Sequence, residues 1–215
     1  MSVIERTGSF GKYYGSPYDS SNPLTYEQME VNASYIYSYL DSKGWSVNAI
    51  SAILGNMHVE SSMNPGRWQS DRVAGDPTSH GYSLVQWTPY TKYIEWCDSE
   101  GYNDPSEMDT ALARIIYEIE NNIQWIGLAK YGFMSFKDFS TSNDDVGSLT
   151  KAFMQCYERP LDQSDEALNT RASYGENWYT FLTGIVPNPP SEGTSNKKKN
   201  KKFKFILFKR RLIRG

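Results

Sequence analysis

Apolar side chains recur at intervals of three and four residues over much of the chain from residue 25 to residue 182, which is the spacing of helices with one buried face. Thr25 begins a capping box ahead of the first apolar run, and Gly44 follows the end of that run. Ser46 precedes a second run, whose apolar face extends to Met57. These signals predict two consecutive helices.

Four more helices are predicted further along the chain. Thr88-Pro89 opens one that runs to about Gly101. Asp104-Pro105 opens the next, whose apolar stripe continues to Ile126 and indicates the central core helix. The same spacing predicts two further helices near residues 143–157 and 165–182.

The stretch from residue 61 to residue 87 separates the second helix from the third. Its segments Asn64-Pro65-Gly66 and Gly75-Asp76-Pro77 favour turns, and a loop of this length in a compact domain is commonly functional. A short hairpin is one option within it, whereas no stretch of the chain alternates convincingly as a strand does. The sequence therefore predicts a mainly α-helical domain with a loop-rich insertion between its second and third helices.

Composition changes at both ends of this helical region. Residues 1–24 are rich in Gly, Ser, Tyr and Pro without a period and predict a loose arm ahead of a folded domain over residues 25–183. Residues 184–196 have the composition of a linker, and residues 197–215 form a tail that is both basic and apolar. Because no secretory signal or membrane span is recognisable, we expect release by lysis, or carriage on a particle, for any action outside the cell.

The net charge of −3 conceals two regions of opposite sign. Residues 197–215 carry ten of the 22 basic residues and no acidic one, so the first 196 residues hold 12 basic against 25 acidic residues, a net of −13. An acidic domain argues against nucleic acid as a partner, because phosphate contacts need clustered Lys and Arg. The basic tail is suited to an anionic wall polymer or membrane surface, and a disordered solubilising end is the alternative.

Several kinds of catalytic site are disfavoured by the sequence. It contains no glycine-rich phosphate loop and no Gly-x-Ser-x-Gly elbow. Cys97 and Cys156 lie far apart on apolar helix faces, which favours two buried thiols over a disulfide or over a nucleophile paired with His58 or His80. Two His and two Cys without ligand spacing predict neither a metal site nor another cofactor.

Carboxylates beside aromatic and amide side chains are the remaining candidates. Glu60 follows Met57 by three residues on the same helix face, so it is either a solvated charge at a helix end or an acid on a cleft wall. Burial on an apolar wall makes a carboxyl group a usable general acid for a glycosidic bond. Sugars present flat apolar faces and hydroxyl groups, and side chains that suit them follow nearby: Trp68, Tyr82, Ser83, Gln86 and Trp87.

Three motifs occur in a fixed order that resembles the phage tail lysozyme family. They are LGNMHVESSMNP at residues 54–65, GYSLVQWTPY at 81–90 and MQCYERP at 154–160, and the intervening MDTALARIIYEIENNIQWI is similar to that family's central helix. The resemblance covers roughly residues 24–182. It implies a lysozyme-like helical fold, similar to goose-type lysozymes and lytic transglycosylases.

The resemblance also implies roles for particular residues. Glu60 takes the place of the catalytic acid, Ser61 that of the Ser beside it, and Gln86 that of the Gln in a Gly-Leu-aliphatic-Gln turn. Tyr157 matches a late Tyr of these enzymes. Ser83 stands where the related enzymes have Gly, so a positive φ at this position would cost about 1–2 kcal/mol. Packing or capping roles stay open for Gln86, Trp87 and Tyr157, and an ion pair is an option for Glu158-Arg159.

These features together predict a muramidase that cleaves the β-1,4 bond between N-acetylmuramic acid and N-acetylglucosamine in peptidoglycan, with Glu60 as general acid. Asp71 and Asp76 are the candidates for a second carboxylate. Without one, a lytic transglycosylase with 1,6-anhydro products is an alternative, and a non-catalytic glycan-binding tail component is another. The resemblance implies a place on a phage tail, with other tail proteins as further partners.

Overall fold

The computed structural model describes residues 3–17, 22–69 and 80–184. A hairpin, β1 and β2, precedes seven α-helices in these residues, which confirms the prediction of a mainly α-helical protein. The elements are β1 (Ile4–Gly8), β2 (Gly11–Gly15), α1 (Tyr26–Ser42), α2 (Val47–Ser61), α3 (Thr91–Glu100), α4 (Met108–Glu120), α5 (Phe136–Thr141), α6 (Val146–Phe153) and α7 (Asp165–Thr183). A turn of 3₁₀-helix, Ala129–Tyr131, precedes α5, and a π-helical turn, Met154–Glu158, continues α6.

The predicted caps of the first two helices are present. The Thr25 side chain accepts a hydrogen bond from the Gln28 backbone N–H, and the Gln28 side chain accepts one from the Thr25 backbone N–H. The Ser46 hydroxyl likewise accepts from the Ala49 N–H at the start of α2. Each cap satisfies backbone donors that the first helical turn leaves without a partner.

The predicted boundaries of the next two helices are partly wrong. Helix α3 begins at Thr91 rather than at Thr88-Pro89, and the Thr88 hydroxyl donates to the Gln86 carbonyl instead of capping the helix. Helix α4 ends at Glu120, so Ile123 and Ile126 lie beyond it. The chain leaves the helix at Asn122, whose φ is 52°, and the Ile126 N–H then donates to the Cys156 carbonyl in the π-helical turn. This long-range contact replaces the helical continuation that the apolar stripe predicted.

Helix α2 occupies the centre of the domain, so the prediction that the stripe ending at Ile126 marks the central helix is wrong. Ten residues of α2 are buried, and α2 packs against α1, α6 and α7. At the contact with α7, a Cβ added to Gly55 would lie 2.6 Å from the Gly175 nitrogen. A helix surrounded on all sides needs apolar and small residues around its whole circumference, whereas a single stripe is typical of a helix with one exposed face.

The N-terminal hairpin corrects the prediction of a loose arm for residues 4–15. Tyr13 is buried, and the Arg6 guanidinium forms an ion pair with Asp104 at 2.5 Å. The Asn32 side chain accepts from the Tyr14 N–H and donates to the Tyr14 carbonyl, both at 2.7 Å. The hairpin is therefore held by contacts with α1 and with the residues before α4, which its own sequence does not reveal.

Some predictions fall on residues outside the described ranges. These are Asp71 and Asp76 in the insertion, residues 185–196 of the linker, and the basic tail from residue 197. The position of the insertion and the bounds of the domain, linker and tail stay predictions. None of the helices within the described ranges is both long and apolar enough to span a membrane.

Candidate active site

Glu60 lies in the last turn of α2, where the helix reaches the surface of the domain. Its side chain is 18% exposed and faces a cleft of about 510 Å³. Ser62 and Met63, with φ values of 52° and 56°, end the helix and direct the chain along the cleft. The cleft is lined by Val59, Glu60, Arg67, Gln69, Gln86, Thr88, Glu158, Arg159, Pro160 and Leu161.

The neighbouring helix places a cation against the Glu60 carboxylate. Arg171 of α7 donates from Nη2 to Glu60 Oε1 at 2.5 Å, and its side chain is 8% exposed. Its Nη1 also donates to the Asn56 side chain, one turn earlier on α2, at 3.3 Å. The close packing of α2 on α7 therefore fixes Glu60 from behind while leaving one side of the carboxylate open to the cleft.

Ser61 connects α2 to the opposite wall of the cleft. Its hydroxyl donates to the Leu84 carbonyl at 2.7 Å, and its side chain is fully buried. Ser61 therefore positions the turn that carries Gln86, and in this structure it offers no surface to a sugar.

The turn from residue 83 to residue 86 contains two residues with a positive φ. Ser83 has a φ of 73° and Gln86 a φ of 50°, so Ser adopts the left-handed conformation at the position where the related enzymes have Gly. The Ser83 N–H and the Gln86 side-chain amide both donate to the Arg67 carbonyl. Gln86 lines the cleft, partly exposed, and thus lies on the same cleft as Glu60.

The aromatic residues predicted to contact sugar lie under the cleft instead. Trp68 pairs with Tyr82, and Tyr82 with Trp87, through short antiparallel bridges. All three side chains are at most 3% exposed, as is Ser83. The Trp87 ring stacks on Tyr93 with centroids 4.5 Å apart. Direct contact of these residues with substrate stays a prediction, and their burial instead supports a role in holding the turn.

A buried carboxylate that the sequence analysis missed connects both walls of the cleft. Glu118 of α4 is 1% exposed and accepts hydrogen bonds from Trp87 Nε1 at 3.0 Å and Arg114 Nε at 2.9 Å. Its other oxygen accepts from the Tyr157 hydroxyl, which in turn accepts from Trp87 Nε1 at 3.1 Å. Burial raises the pKa of Glu118, although Tyr157 and Arg114 act to lower it. The available signal was an Arg and a Glu four residues apart within the stripe of α4.

Tyr157 belongs to this network and is 1% exposed, so in this structure it lies beneath the cleft rather than in it. The next residue, Glu158, ends the π-helical turn and lines the cleft with Glu60. Arg159 follows with a φ of 50°, and its guanidinium donates to the Gln124 and Cys156 carbonyls, both at 2.6 Å. The arginine thus fixes the loop through backbone carbonyls, and no ion pair with Glu158 is observed among the described residues.

The environment of the Glu158 carboxyl group differs from that of Glu60. Oε1 of Glu158 is buried and has no hydrogen-bond partner among the described residues. Burial raises the pKa of Glu158 well above its ordinary value, and the charge of Glu60 raises it further. The cleft thus contains two carboxyl groups: Glu60 is paired with Arg171, whereas Glu158 is partly exposed and has one buried oxygen without a hydrogen-bond partner among the described residues. Sequence reasoning missed this role because Glu158 had been considered only together with Arg159.

The pattern that defines the phage tail lysozyme family matches residues 31–182. Morphogenesis protein 1 of Bacillus phage B103 is 42% identical over 167 residues, which cover 78% of this chain and 43% of that relative. The chain therefore spans less than half the length of this relative. The matched region contains Glu60, the Gln86 turn and Glu158. From its matching pattern and this relative, the chain belongs to the phage tail lysozyme family, as its three motifs predicted.

Proposed function

We propose that the protein cleaves the β-1,4 bond between N-acetylmuramic acid and N-acetylglucosamine in peptidoglycan, with Glu60 as the general acid. The observation that carries the proposal is the position of Glu60 at the end of α2, on a cleft that it shares with Gln86. Membership of a lysozyme family supports the class of reaction.

The composition of the cleft supports a glycan substrate. Arg67 and Gln69 offer hydrogen-bond donors to sugar hydroxyl and acetamido groups, whereas both N–H groups of the Gln86 side chain donate to the Arg67 and Ser83 carbonyls. Val59 and Leu161, both exposed, offer apolar surface at its edge to the flat face of a pyranose ring. Polar groups in a largely preformed cleft are typical of small-molecule and saccharide sites.

In the reaction, the proton of the Glu60 carboxyl group passes to the glycosidic oxygen as the bond to the anomeric carbon breaks. The electron pair of that bond stays with the leaving oxygen, and positive charge develops on the sugar ring. Glu60 is then a carboxylate, and Arg171, 2.5 Å away, stabilises its negative charge. The attacking group is a water molecule in a hydrolase and the muramic acid 6-hydroxyl in a transglycosylase.

The test is mass spectrometry of purified peptidoglycan after digestion by the wild type, by Glu60→Gln and by Glu120→Gln. Glu120 is exposed on α4, so its variant makes the same chemical change away from the cleft. We expect reducible muropeptides from the wild type and Glu120→Gln only. Products with 1,6-anhydro ends would keep Glu60 as the acid but assign a transglycosylase. Equal digestion by Glu60→Gln would refute its role as the acid, and no soluble fragments from any of the three proteins would indicate a glycan-binding component.

We further propose that the protein acts on the cell wall from a phage tail. This rests on the family and on a relative from a Bacillus phage that is called a morphogenesis protein. Detection of the chain by mass spectrometry in purified virions, at a fixed ratio to a tail protein, tests the proposal. Its presence only in the lysate, and not in virions, would refute it.

A further inference from the structure

The cleft contains a second carboxyl group, that of Glu158, which takes no part in the proposed reaction. Glu158 lines the same cleft as Glu60, yet Arg171 pairs with Glu60 and Arg159 is engaged by backbone carbonyls. Among the residues that the structure describes, Glu158 therefore has no ion-pair partner and no hydrogen-bond donor of its own, and its Oε1 is buried. A carboxylate in such a place is costly, whereas a neutral carboxyl group is tolerated.

We propose that Glu158 holds, in the resting enzyme, the proton that Glu60 delivers to the glycosidic oxygen. The inference rests on the proposed function and deepens it. Glu60 and Glu158 form a pair with one negative charge and one proton, in which Arg171 places the charge on Glu60 and burial keeps the proton on Glu158. Two carboxyl groups in unequal surroundings are a recurrent solution for acid catalysis at neutral pH.

The charged groups that act on Glu158 come from three helices as well as from the turn. The negative charges of Glu60 on α2 and Glu118 on α4 raise its pKa, and the positive charges of Arg171 on α7 and of the adjacent Arg159 lower it. Desolvation exceeds each of these effects, so the net shift is upward. Glu118 does not line the cleft, and its carboxyl group is engaged by Trp87, Arg114 and Tyr157 beneath it.

The proton is conserved over the cycle. It passes from Glu158 to Glu60 through water in the cleft, because no direct hydrogen bond joins the two carboxyl groups in the described residues, and from Glu60 to the leaving oxygen as the glycosidic bond breaks. Both carboxyl groups are then ionised while the sugar ring is positively charged. A water molecule next forms a bond to the anomeric carbon, and its proton returns to the pair. Glu158 acts on the reaction only through Glu60, to which it supplies the proton. It is therefore a positioning residue and not a catalytic one.

The matched substitutions at this position are Glu158→Gln and Glu158→Asp. Gln keeps the size and the neutral charge of the protonated side chain but has no acidic proton, whereas Asp keeps the acid one methylene shorter. We expect Glu158→Gln to lower kcat on purified peptidoglycan by about 100-fold with little change in KM, because acid–base catalysis contributes roughly 10²–10⁴-fold. Glu158→Asp should recover part of kcat and keep a pH-dependent profile. Wild-type kcat and an unchanged pH profile in Glu158→Gln would overturn the proposal.

A second measurement does not depend on catalysis, and it compares the wild-type protein with Glu60→Gln. In a sample labelled with ¹³C at the Glu side-chain carboxyl carbons, we expect the Glu158 signal to titrate above its ordinary pKa of 4.5 and to shift to lower pH in Glu60→Gln. Titration at the ordinary value, or no effect of Glu60→Gln, would overturn the pairing. If the titrations are as expected but the wild type releases no fragments, then the carboxyl pair exists and the proposed cleavage is what has failed.

Discussion

Replacing Glu118 with Gln tests whether the buried network under the cleft stabilises the protein. Glu118 accepts hydrogen bonds from Trp87, Arg114 and Tyr157. Trp87 follows the Gln86 turn, Arg114 lies on α4 and Tyr157 precedes Glu158. Gln retains the shape and one acceptor oxygen. It loses the negative charge and replaces the second oxygen with an amide donor that faces the Tyr157 hydroxyl.

The expected cost follows from what is left without a partner. The Arg114 side chain is 8% exposed, so its charge would remain buried with only the rings of Trp96 and Tyr117 beside it. Breaking a buried ion pair by removing one partner costs about 3–5 kcal/mol, and the acceptor that Gln retains favours the lower end, about 3 kcal/mol. For a chain of this size, about 3 kcal/mol corresponds to a fall in Tm of about 6–12 °C.

Thermal and urea unfolding, monitored by circular dichroism, measure the difference in stability between the wild type and Glu118→Gln. Glu120→Gln is the matched control. Glu120 lies on the same helix but is exposed, so its variant should change stability by no more than about 0.5 kcal/mol. If the two variants unfold at the same Tm, then the network contributes nothing net, and its role in stabilising the cleft walls is refuted.

Three further changes test other parts of the structure. Asn64 binds the Ser16 N–H and hydroxyl, so Asn64→Ala should lower the free energy of unfolding by about 2 kcal/mol in urea, and loss of less than about 0.5 kcal/mol would contradict this. Gly55→Ala should cost about 1–3 kcal/mol, because the added Cβ would lie 2.6 Å from Gly175; an unchanged urea midpoint would show that α2 and α7 separate freely. The raised pKa of Glu158 means that, above pH 4.5, the folded state keeps a proton that the unfolded chain releases, so the free energy of unfolding falls as pH rises towards the folded pKa. Glu158→Gln should flatten this part of the urea-derived stability profile, and an equally steep profile in the variant would refute the assignment.

The start of each early helix could be predicted because its signals are local. The Thr25 and Ser46 caps each involve a backbone N–H three residues away, so the sequence alone contains both partners of the hydrogen bond. The positive φ of Ser83 was also anticipated as a condition of the turn motif, and the structure contains it. The family was recognisable for the same reason, since its motifs are short and contiguous.

The candidate site was predictable only in part. Glu60 and Gln86 line one cleft, whereas Trp68, Trp87 and Tyr157 are buried and are not among its lining residues. An aromatic residue beside a polar loop suits a sugar platform and a packed core equally well, because both use its large apolar surface. Sequence reasoning therefore could not distinguish the two.

Local pattern determined where the first two helices begin, which helices are amphipathic and which carboxylate stands at the end of α2. The tertiary structure decided that α2 is the central helix, that residues 4–15 form a hairpin, and that Glu158 shares a cleft with Glu60. The first set depends on hydrogen bonds and periodicity within one or two helical turns. The second depends on burial and on charges from distant segments. Both effects arise only when folding brings these side chains together and removes them from water.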